Sequence, residues 1–315
     1  YGLETIGRNY KFQTEVKSDG HLKKDGTLDG NIYIVGGGDP SLSINDLVGF
    51  VKHLKFLGIK RISGKFFYYD KWLPNFSCID STQLPEESFN PGLSGLNLNK
   101  NKILFSWEKV GSRYNLKLEA RGLNYKVLLD NITINEANDT LKSYEYEINE
   151  KLGKEIWRVS KNILDRKGVR WLPVRLSAQY TSEVFRSLLK EHGLSVSMPR
   201  SIKILPEETN LLFRHESEPL NFLSKEMLYR STNVVAEIVG LQVAKLWGLK
   251  TPSIKSSGEI MTNWFNYVTN TKGSFFANHS GLTVDTRVSA HDFTKFLTRL
   301  ETIEILPSIL KGKKI

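Results

Sequence analysis

The sequence predicts a protein of mixed helix and strand, with a β-rich middle between ends that contain helices. Residues 60–175 consist mostly of short apolar or alternating runs separated by Gly, Asn and Pro, which is typical of strands. After residue 173, apolar residues recur at helical spacing. A length of 315 residues and a hydrophobic fraction of 40% are sufficient for two or three domains with a folded core.

The N-terminal part predicts strands and then a helix. Residues 1–35 alternate in polarity around two Asp-Gly pairs, which indicates short antiparallel strands joined by hairpins. The apolar run NIYIV (31–35) continues into the Gly-rich turn GGGDP (36–40), and a helix capped near Ser43 follows. The turn lacks the spacing of a nucleotide-binding loop, and Asp39 would repel a phosphate. We therefore do not expect nucleotide binding.

Helical patterns dominate the C-terminal part. The segment SAQYTSEVFRSLLKEHG (177–193) has apolar residues at helical spacing and Gly193 at its expected C-terminal end. Further helical stretches are predicted over 218–248, about 258–270 and 289–303.

Composition excludes several classes of site. The net charge of +10 suits an anionic partner, but the lysines are spread along the chain, as on a solvated surface. A nucleic-acid binder needs a clustered basic face, and the only short basic run is 311–314. The single Cys78 excludes an intramolecular disulfide, and the six His residues lack the spacing of a metal site. No metal, cofactor or nucleic acid is expected.

The first candidate site is the polar triplet Ser231-Thr232-Asn233. It lies between an amphipathic stretch (218–230) and the apolar run 234–248. One interpretation is an N-terminal cap of the second helix, because Ser, Thr and Asn satisfy free helix N–H groups. The other is that the three side chains point into a cleft from a corner between two helices.

The second candidate is the segment FFANHSGLTVDTRVSA (275–290). Its aromatic start predicts a strand that runs into Asn278-His279-Ser280-Gly281. A plain loop explains this segment equally well in isolation. The sequence contains no GxSxG motif, although a Ser-His-Asp triad assembled by the fold stays open.

Several segments together resemble the D-alanyl-D-alanine carboxypeptidase/endopeptidase penicillin-binding proteins of the class C, low-molecular-mass type. The resemblance covers nearly the whole chain. It is carried, in order, by LETIGRNYKFQTEV, DGTLDGNIYIVGGGDPSL, FNPGLSGLNLNKNKI, FRSLLKEHG, HESEPLNFLSKEMLYRSTNVVAE and HSGLTVDTRVSA.

The resemblance implies an α/β (α+β) penicillin-binding/β-lactamase-like transpeptidase domain with inserted β-rich domains. Residues 1–20 and 205–315 would belong to the catalytic domain, whose antiparallel sheet is covered by helices. Residues 21–100 and about 175–204 would form a first inserted α/β domain. Residues 101–174 would form a second, β-rich insertion.

The family's serine chemistry uses the motifs SxxK, SxN and KTG. Ser231 and Asn233 match SxN, so the resemblance implies that both are catalytic. The family's Asp-Gly-Ser-Gly-Leu segment is similar to residues 278–282, where Ser280 and Gly281 keep their positions and imply substrate binding. Asn278 replaces the Asp of that segment.

The other two motifs are not found where the family has them. The chain begins after the expected place of SxxK, and no Lys-Thr-Gly or Lys-Ser-Gly occurs. Three Ser-x-x-Lys strings lie elsewhere, at Ser106–Lys109, Ser187–Lys190 and Ser308–Lys311. We therefore interpret the sequence as the central part of such a protein, truncated at both ends, and do not expect the 315 residues alone to acylate.

Two functions follow from the resemblance. The first is a serine-type D-Ala-D-Ala carboxypeptidase/endopeptidase that acts on peptidoglycan through an acyl-serine intermediate and binds β-lactam antibiotics. Its location would be the bacterial periplasm, reached by a signal peptide that is not in this chain. The alternative is a non-catalytic cell-wall-binding or scaffold homologue. The sequence leaves open whether the protein forms a homodimer.

Overall fold

The computed structural model describes residues 1–137, 140–149 and 151–302 of the chain. The chain divides into two compact units. Unit 1 combines Tyr1–Phe12 with Glu216–Ile315, and unit 2 is the intervening Gln13–His215. The sequence-based division into three domains stays a prediction.

Except for one short helix at Gly2–Thr5, which lies where strands were expected, the helices occur where helical spacing predicts them. They are α1 (Gly2–Thr5), α2 (Ile44–Phe56), α3 (Ser177–Glu191), α4 (Leu220–Arg230), α5 (Asn233–Leu246), α6 (Ile254–Thr269) and α7 (Ala290–Thr302). The predicted stretch 218–248 is broken at the polar triplet, which separates α4 from α5. None of these helices, within the described ranges, is long and apolar enough to cross a membrane.

The strands lie mainly in unit 2. They are β1 (Gln13–Ser18), β2 (His21–Leu22), β3 (Thr27–Asp29), β4 (Ile32–Gly36), β5 (Arg61–Ile62), β6 (Phe66–Tyr69), β7 (Lys102–Val110), β8 (Arg113–Arg121), β9 (Lys126–Leu128), β10 (Ile132–Glu136), β11 (Tyr144–Asn149), β12 (Lys154–Val159), β13 (Lys167–Pro173), β14 (Arg200–Ser201) and β15 (Asn210–Glu216).

The largest sheet of unit 2 has the strand order β14-β6-β4-β1-β15. Strand β4 is parallel to β6 and antiparallel to β1, and β6 is parallel to β14. Four of the five residues of β4 are buried, which explains the continuous apolar run. Parallel pairing needs a crossover connection, and α2 lies in the one between β4 and β6.

Helix α2 begins at the predicted cap. The Asp46 backbone N–H donates to Ser43 Oγ at 3.4 Å, and the Ser43 N–H donates to the Asp46 carboxylate at 2.8 Å. Each partner satisfies a backbone donor of the other, which is worth about 1 kcal/mol.

The turn GGGDP is shaped by close backbone contacts. A Cβ at Gly36 would lie 2.2 Å from the Gly95 carbonyl oxygen, so only glycine fits there. The Asp39 carboxylate is buried and accepts hydrogen bonds from the Ser41 N–H at 2.8 Å and the Ser41 hydroxyl at 2.6 Å. One oxygen of the Asp39 carboxylate therefore helps to close the turn.

Of the two Asp-Gly pairs, one forms the predicted hairpin. Strands β2 and β3 pair antiparallel around Asp25 and Gly26. The prediction was wrong at Asp19, because β1 pairs with β4 instead of turning back. The Asp19 carboxylate binds the backbone N–H and the side-chain amide of Asn31, both at 2.7 Å, and so fixes the chain in a different direction.

The predicted β-rich middle is confirmed. It contains the sheets β13-β7-β8-β9 and β10-β12-β11. In the second sheet, β10 pairs parallel with β12, whereas β11 pairs antiparallel with it. The fully buried rings of Phe105 and Trp157 contribute to the core of this part of unit 2.

Unit 1 is mainly helical in its described residues. Helix α5 packs against α1, α4 and α6, and α7 packs against α6. Helix α5 is buried along most of its length, which accounts for the apolar run after the polar triplet. Close approach of α1 to α5 requires Gly2, because a Cβ there would lie 2.5 Å from Val239.

The predicted strand at the start of 275–290 is reduced to one bridge. Phe275 pairs with Arg287 in isolation. The next two backbone N–H groups donate to hydroxyls instead, Phe276 to Thr262 at 2.8 Å and Ala277 to Thr286 at 3.2 Å. Because side chains satisfy these donors, no longer ladder forms there.

Candidate active site

The polar triplet forms the junction of α4 and α5. Ser231 ends α4 in a left-handed conformation, with φ 50° and ψ 58°, and its N–H donates to the Met227 carbonyl oxygen. Such a conformation is unfavourable for a residue with a Cβ. The junction is therefore a sharp corner with a strained backbone at Ser231.

The cap position of α5 is occupied by the middle residue of the triplet. The N-terminal cap of α5 is Thr232, and its side chain makes no capping hydrogen bond. Asn233 is the first residue of α5 and is half-buried, whereas Ser231 is exposed. The Thr232 side chain, at the cap position, therefore does not satisfy the N-terminus of α5.

The loop 278–281 has a fixed turn. The Gly281 N–H donates to the Asn278 side-chain oxygen at 3.0 Å, and Gly281 has a φ of +72° that favours glycine. The Leu282 N–H donates to Ser280 Oγ at 3.3 Å. Asn278 is buried, so its carboxamide supplies an acceptor at the position where the family has an Asp.

Glu237 joins this loop to the helix that begins at Asn233. It lies one turn further along α5, and it is fully buried. Its Oε1 accepts hydrogen bonds from the backbone N–H of His279 at 3.1 Å and of Ser280 at 2.8 Å. Burial raises the pKa of the Glu237 carboxyl group.

Sequence reasoning missed Glu237. The available signal was an acid inside the apolar run VVAEIVG, four residues after Asn233, where an unpaired carboxylate would be costly. The two candidate segments, predicted separately, are brought to one helix by this residue.

His279 forms a serine–histidine pair that is structural. Its Nε2 lies 2.9 Å from Ser257 Oγ, and its Nδ1 lies 3.3 Å from the sulfur of Met261 instead of a carboxylate. Burial lowers the pKa of His279 to about 3, so the ring stays neutral. Ser257 is fully buried. This pair lacks both the access and the third partner of a catalytic triad.

The His279 ring also explains a glycine of α5. A Cβ at Gly240 would lie 2.1 Å from the imidazole, so the ring packs directly on the helix backbone. The described residues contain no group of three or more His, Cys, Asp or Glu that could hold a metal ion.

The accidental Ser-x-x-Lys strings do not join this site. Ser106–Lys109 lies on β7, where residues three apart point to opposite faces of the sheet. Ser187–Lys190 lies on α3, with Lys190 exposed, and both strings belong to unit 2. The third string, Ser308–Lys311, lies outside the described residues.

Solved structures share this architecture. Penicillin binding protein 4 (dacB) of Haemophilus influenzae matches with a TM-score of 0.78 and 17% identity, over 98% of this chain and 69% of that one. Its complex with a novel β-lactam matches with a TM-score of 0.74 and 18% identity, over 96% and 66%. The fold is therefore that of penicillin binding protein 4, a transpeptidase-like fold with β-rich insertions, as predicted.

The sequence defines the family more narrowly. The pattern of the D-Ala-D-Ala carboxypeptidase 3 (S13) family matches residues 2–311, so the chain belongs to that family. This confirms the family that the sequence motifs indicated.

Two curated relatives are D-alanyl-D-alanine carboxypeptidases. DacB of Haemophilus influenzae is 23% identical over 255 residues, which are 75% of this chain and 50% of that protein. The enzyme of an Actinomadura strain is 28% identical over 87 residues, which are 28% of this chain and 16% of that protein. The chain thus spans half or less of the curated relatives it matches.

Proposed function

We propose that the full-length protein is a serine-type D-Ala-D-Ala carboxypeptidase or endopeptidase of peptidoglycan, and that it binds β-lactams. The observation that carries this proposal is the attachment of the loop with Ser280 and Gly281 to α5, the helix that begins at Asn233. Membership of the S13 family supports the substrate class. The β-lactam bound to the Haemophilus influenzae protein supports the inhibitor class.

In the proposed reaction, a serine hydroxyl attacks the carbonyl carbon of the penultimate D-Ala. A C–O bond forms, the peptide C–N bond breaks, and the terminal D-Ala leaves as an amine that has gained a proton. The Ser231 hydroxyl passes this proton between a lysine and the leaving nitrogen. The Asn233 amide donates to the substrate carbonyl, while Ser280 and Gly281 contact the peptide. Water then hydrolyses the ester.

This reaction also needs a nucleophilic serine and a cation that are not among Ser231, Asn233, Ser280 and Gly281. The proposal therefore requires that the full reading frame encode Ser-x-x-Lys before residue 1 and Lys-Thr-Gly after residue 315. Because peptidoglycan is outside the cytoplasmic membrane, the proposal also places the protein in the bacterial periplasm. Sequencing outward from both ends tests the motifs, and the absence of both would refute the enzyme.

Fluorescent penicillin separates this proposal from its alternative. We expect the full-length protein to form a covalent, heat-stable adduct with the probe. The alternative, a non-catalytic cell-wall-binding homologue, is favoured by the net charge of +10 and by Asn278 in place of Asp. It predicts binding to isolated peptidoglycan without any adduct.

Substitution of Asn233 tests its role in the full-length protein. We expect Asn233→Ala to slow penicillin acylation roughly 10- to 100-fold, because a substrate-orienting hydrogen bond is worth about 1.5–3 kcal/mol. The matched control is Asn263→Ala on the exposed side of α6, which should acylate like the wild type. Equal rates for the two variants would exclude Asn233 from the reaction.

A further inference from the structure

Glu237 is an acidic residue in an otherwise apolar stretch of α5. It is fully buried in the apolar part of α5. A carboxyl group there loses its hydration, which is costly unless hydrogen bonds compensate. Oε1 accepts from the N–H groups of His279 and Ser280, and hydrogen bonding by the Ser280 side chain also opposes the rise in the carboxyl pKa that burial causes. Oε2 has no partner within hydrogen-bond distance among the described residues.

The bonds of Glu237 act on the backbone at the proposed substrate contact. Ser280 N–H is held at 2.8 Å, and the neighbouring His279 ring is fixed separately by Ser257 and by contact with Gly240. The ring contacts hold the side chain of His279, whereas Glu237 holds the backbone N–H groups of His279 and Ser280. The position of Ser280 relative to α5 therefore depends directly on this carboxyl group.

We propose that Glu237 is a positioning residue of the peptidase: its carboxyl oxygen fixes the Ser280 backbone relative to Asn233, so that both contact one substrate in the correct register. The proposal rests on the proposed function. It predicts that an acceptor oxygen is needed at this position and that a negative charge is not, since Oε1 alone accepts the two backbone N–H groups.

Two substitutions in the full-length protein separate these requirements. Glu237→Gln keeps the acceptor and places its NH2 where Oε2 has no partner, so we expect penicillin acylation within about threefold of the wild type. Glu237→Leu removes the acceptor at similar volume and leaves two N–H groups unpaired. We expect it to lower the second-order acylation rate constant at least tenfold, since small displacements of positioning groups have large kinetic effects.

A stability-matched control excludes a merely structural role. Val243→Ala removes a fully buried side chain from the same helix and should lower the melting temperature comparably, without loss of acylation at a temperature where both variants are folded. The proposal is overturned if Glu237→Leu acylates as fast as Val243→Ala, or if Glu237→Gln is as slow as Glu237→Leu.

Amide hydrogen exchange in the 315-residue chain tests the contact itself. Glu237→Leu should accelerate exchange of the Ser280 N–H at least tenfold. In Glu237→Gln and Val243→Ala, the exchange rate of the Ser280 N–H relative to neighbouring amides should not change. Unchanged exchange in Glu237→Leu would overturn the proposal. If wild-type protein fails to react with penicillin while the exchange result holds, the proposed function fails and the contact remains as a structural one.

Discussion

Each unit contains a buried glutamate that binds two consecutive backbone N–H groups, but the two carboxyl groups are satisfied to different degrees. In unit 2, Glu155 Oε2 accepts from the N–H groups of Arg175 at 2.9 Å and Leu176 at 3.2 Å, and Oε1 accepts from the Trp157 indole at 3.1 Å. In unit 1, Glu237 receives both of its N–H donors on one oxygen, and in the described residues the other has none.

This difference distinguishes Glu155, whose contact is structural, from Glu237, whose contact lies beside the candidate site. Burial raises the pKa of both carboxyl groups, because an ion in an apolar interior loses its hydration. Donors occupy both oxygens of Glu155, which holds the chain at the start of α3. Oε2 of Glu237 has no hydrogen-bond partner among the described residues, and Oε1 binds the loop that contains Ser280. Unequal use of the two oxygens is what a substitution by glutamine can detect.

Glu155→Gln should give the largest change in stability. Whichever way the amide is oriented, its NH2 faces a donor that previously had an acceptor, so at least one buried group is left unpaired. We expect a loss of about 2–4 kcal/mol in the free energy of unfolding, measured by urea denaturation. The control is Glu147→Gln, whose side chain is 56% exposed and pairs with Arg158; it should cost less than about 1 kcal/mol.

Glu237→Gln should be nearly neutral in the same assay, because the amide can keep its oxygen on the two N–H groups. A cost as large as that of Glu155→Gln would remove the distinction between the two sites. The pH dependence sharpens this test. Since the folded pKa of Glu237 is raised, its folded form retains a proton that the unfolded chain loses near pH 4.5.

The sign of the pH effect follows from proton linkage. Below pH 4.5 the carboxyl is protonated in both states, and the wild type keeps its full stability. As the pH rises toward the folded pKa, the folded state binds more protons than the unfolded state, so wild-type stability falls. Glu237→Gln lacks this contribution. Its stability relative to the wild type should therefore increase with pH above 4.5, and parallel curves for the two proteins would contradict a buried, proton-retaining carboxyl.

Local sequence patterns predicted the helices and strands of this fold better than the pairing between strands. The cap at Ser43, the buried strand β4 and the break between α4 and α5 all depend on neighbours in sequence, and all are confirmed. The parallel pairing of β10 with β12 depends on contacts between distant residues, and the alternating pattern does not encode it. The strand predicted at Phe275 failed because hydroxyls of Thr262 and Thr286 took its backbone donors.

The same limit applies to the candidate site. The residues Ser231, Asn233, Ser280 and Gly281 were proposed from motifs, and their catalytic and binding roles stay predictions. Glu237 was missed because its hydrogen-bond donors are distant in sequence. The N–H groups that it binds lie in a loop more than forty residues further along the chain, and the helical pattern around Glu237 does not indicate them.

A small gain in stability is expected from a substitution at the corner formed by Ser231. Ser231→Gly removes the Cβ that disfavours the left-handed conformation, so we expect a gain of about 0.5–1 kcal/mol in the free energy of unfolding. In the full-length protein the same substitution should slow acylation roughly 100-fold, because the proton-relaying hydroxyl is lost.

Asn270 provides the matched control, since it ends α6 with nearly the same backbone angles, φ 51° and ψ 52°. Asn270→Gly should give a smaller gain in stability, because Asn tolerates this conformation better than Ser, and acylation should not change. If Ser231→Gly is more stable than the wild type but acylates more slowly, the backbone strain at residue 231 is retained because the reaction needs the hydroxyl. If Ser231→Gly acylated at the wild-type rate, the hydroxyl would take no part in proton transfer, and Ser231 would be only a helix end like Asn270.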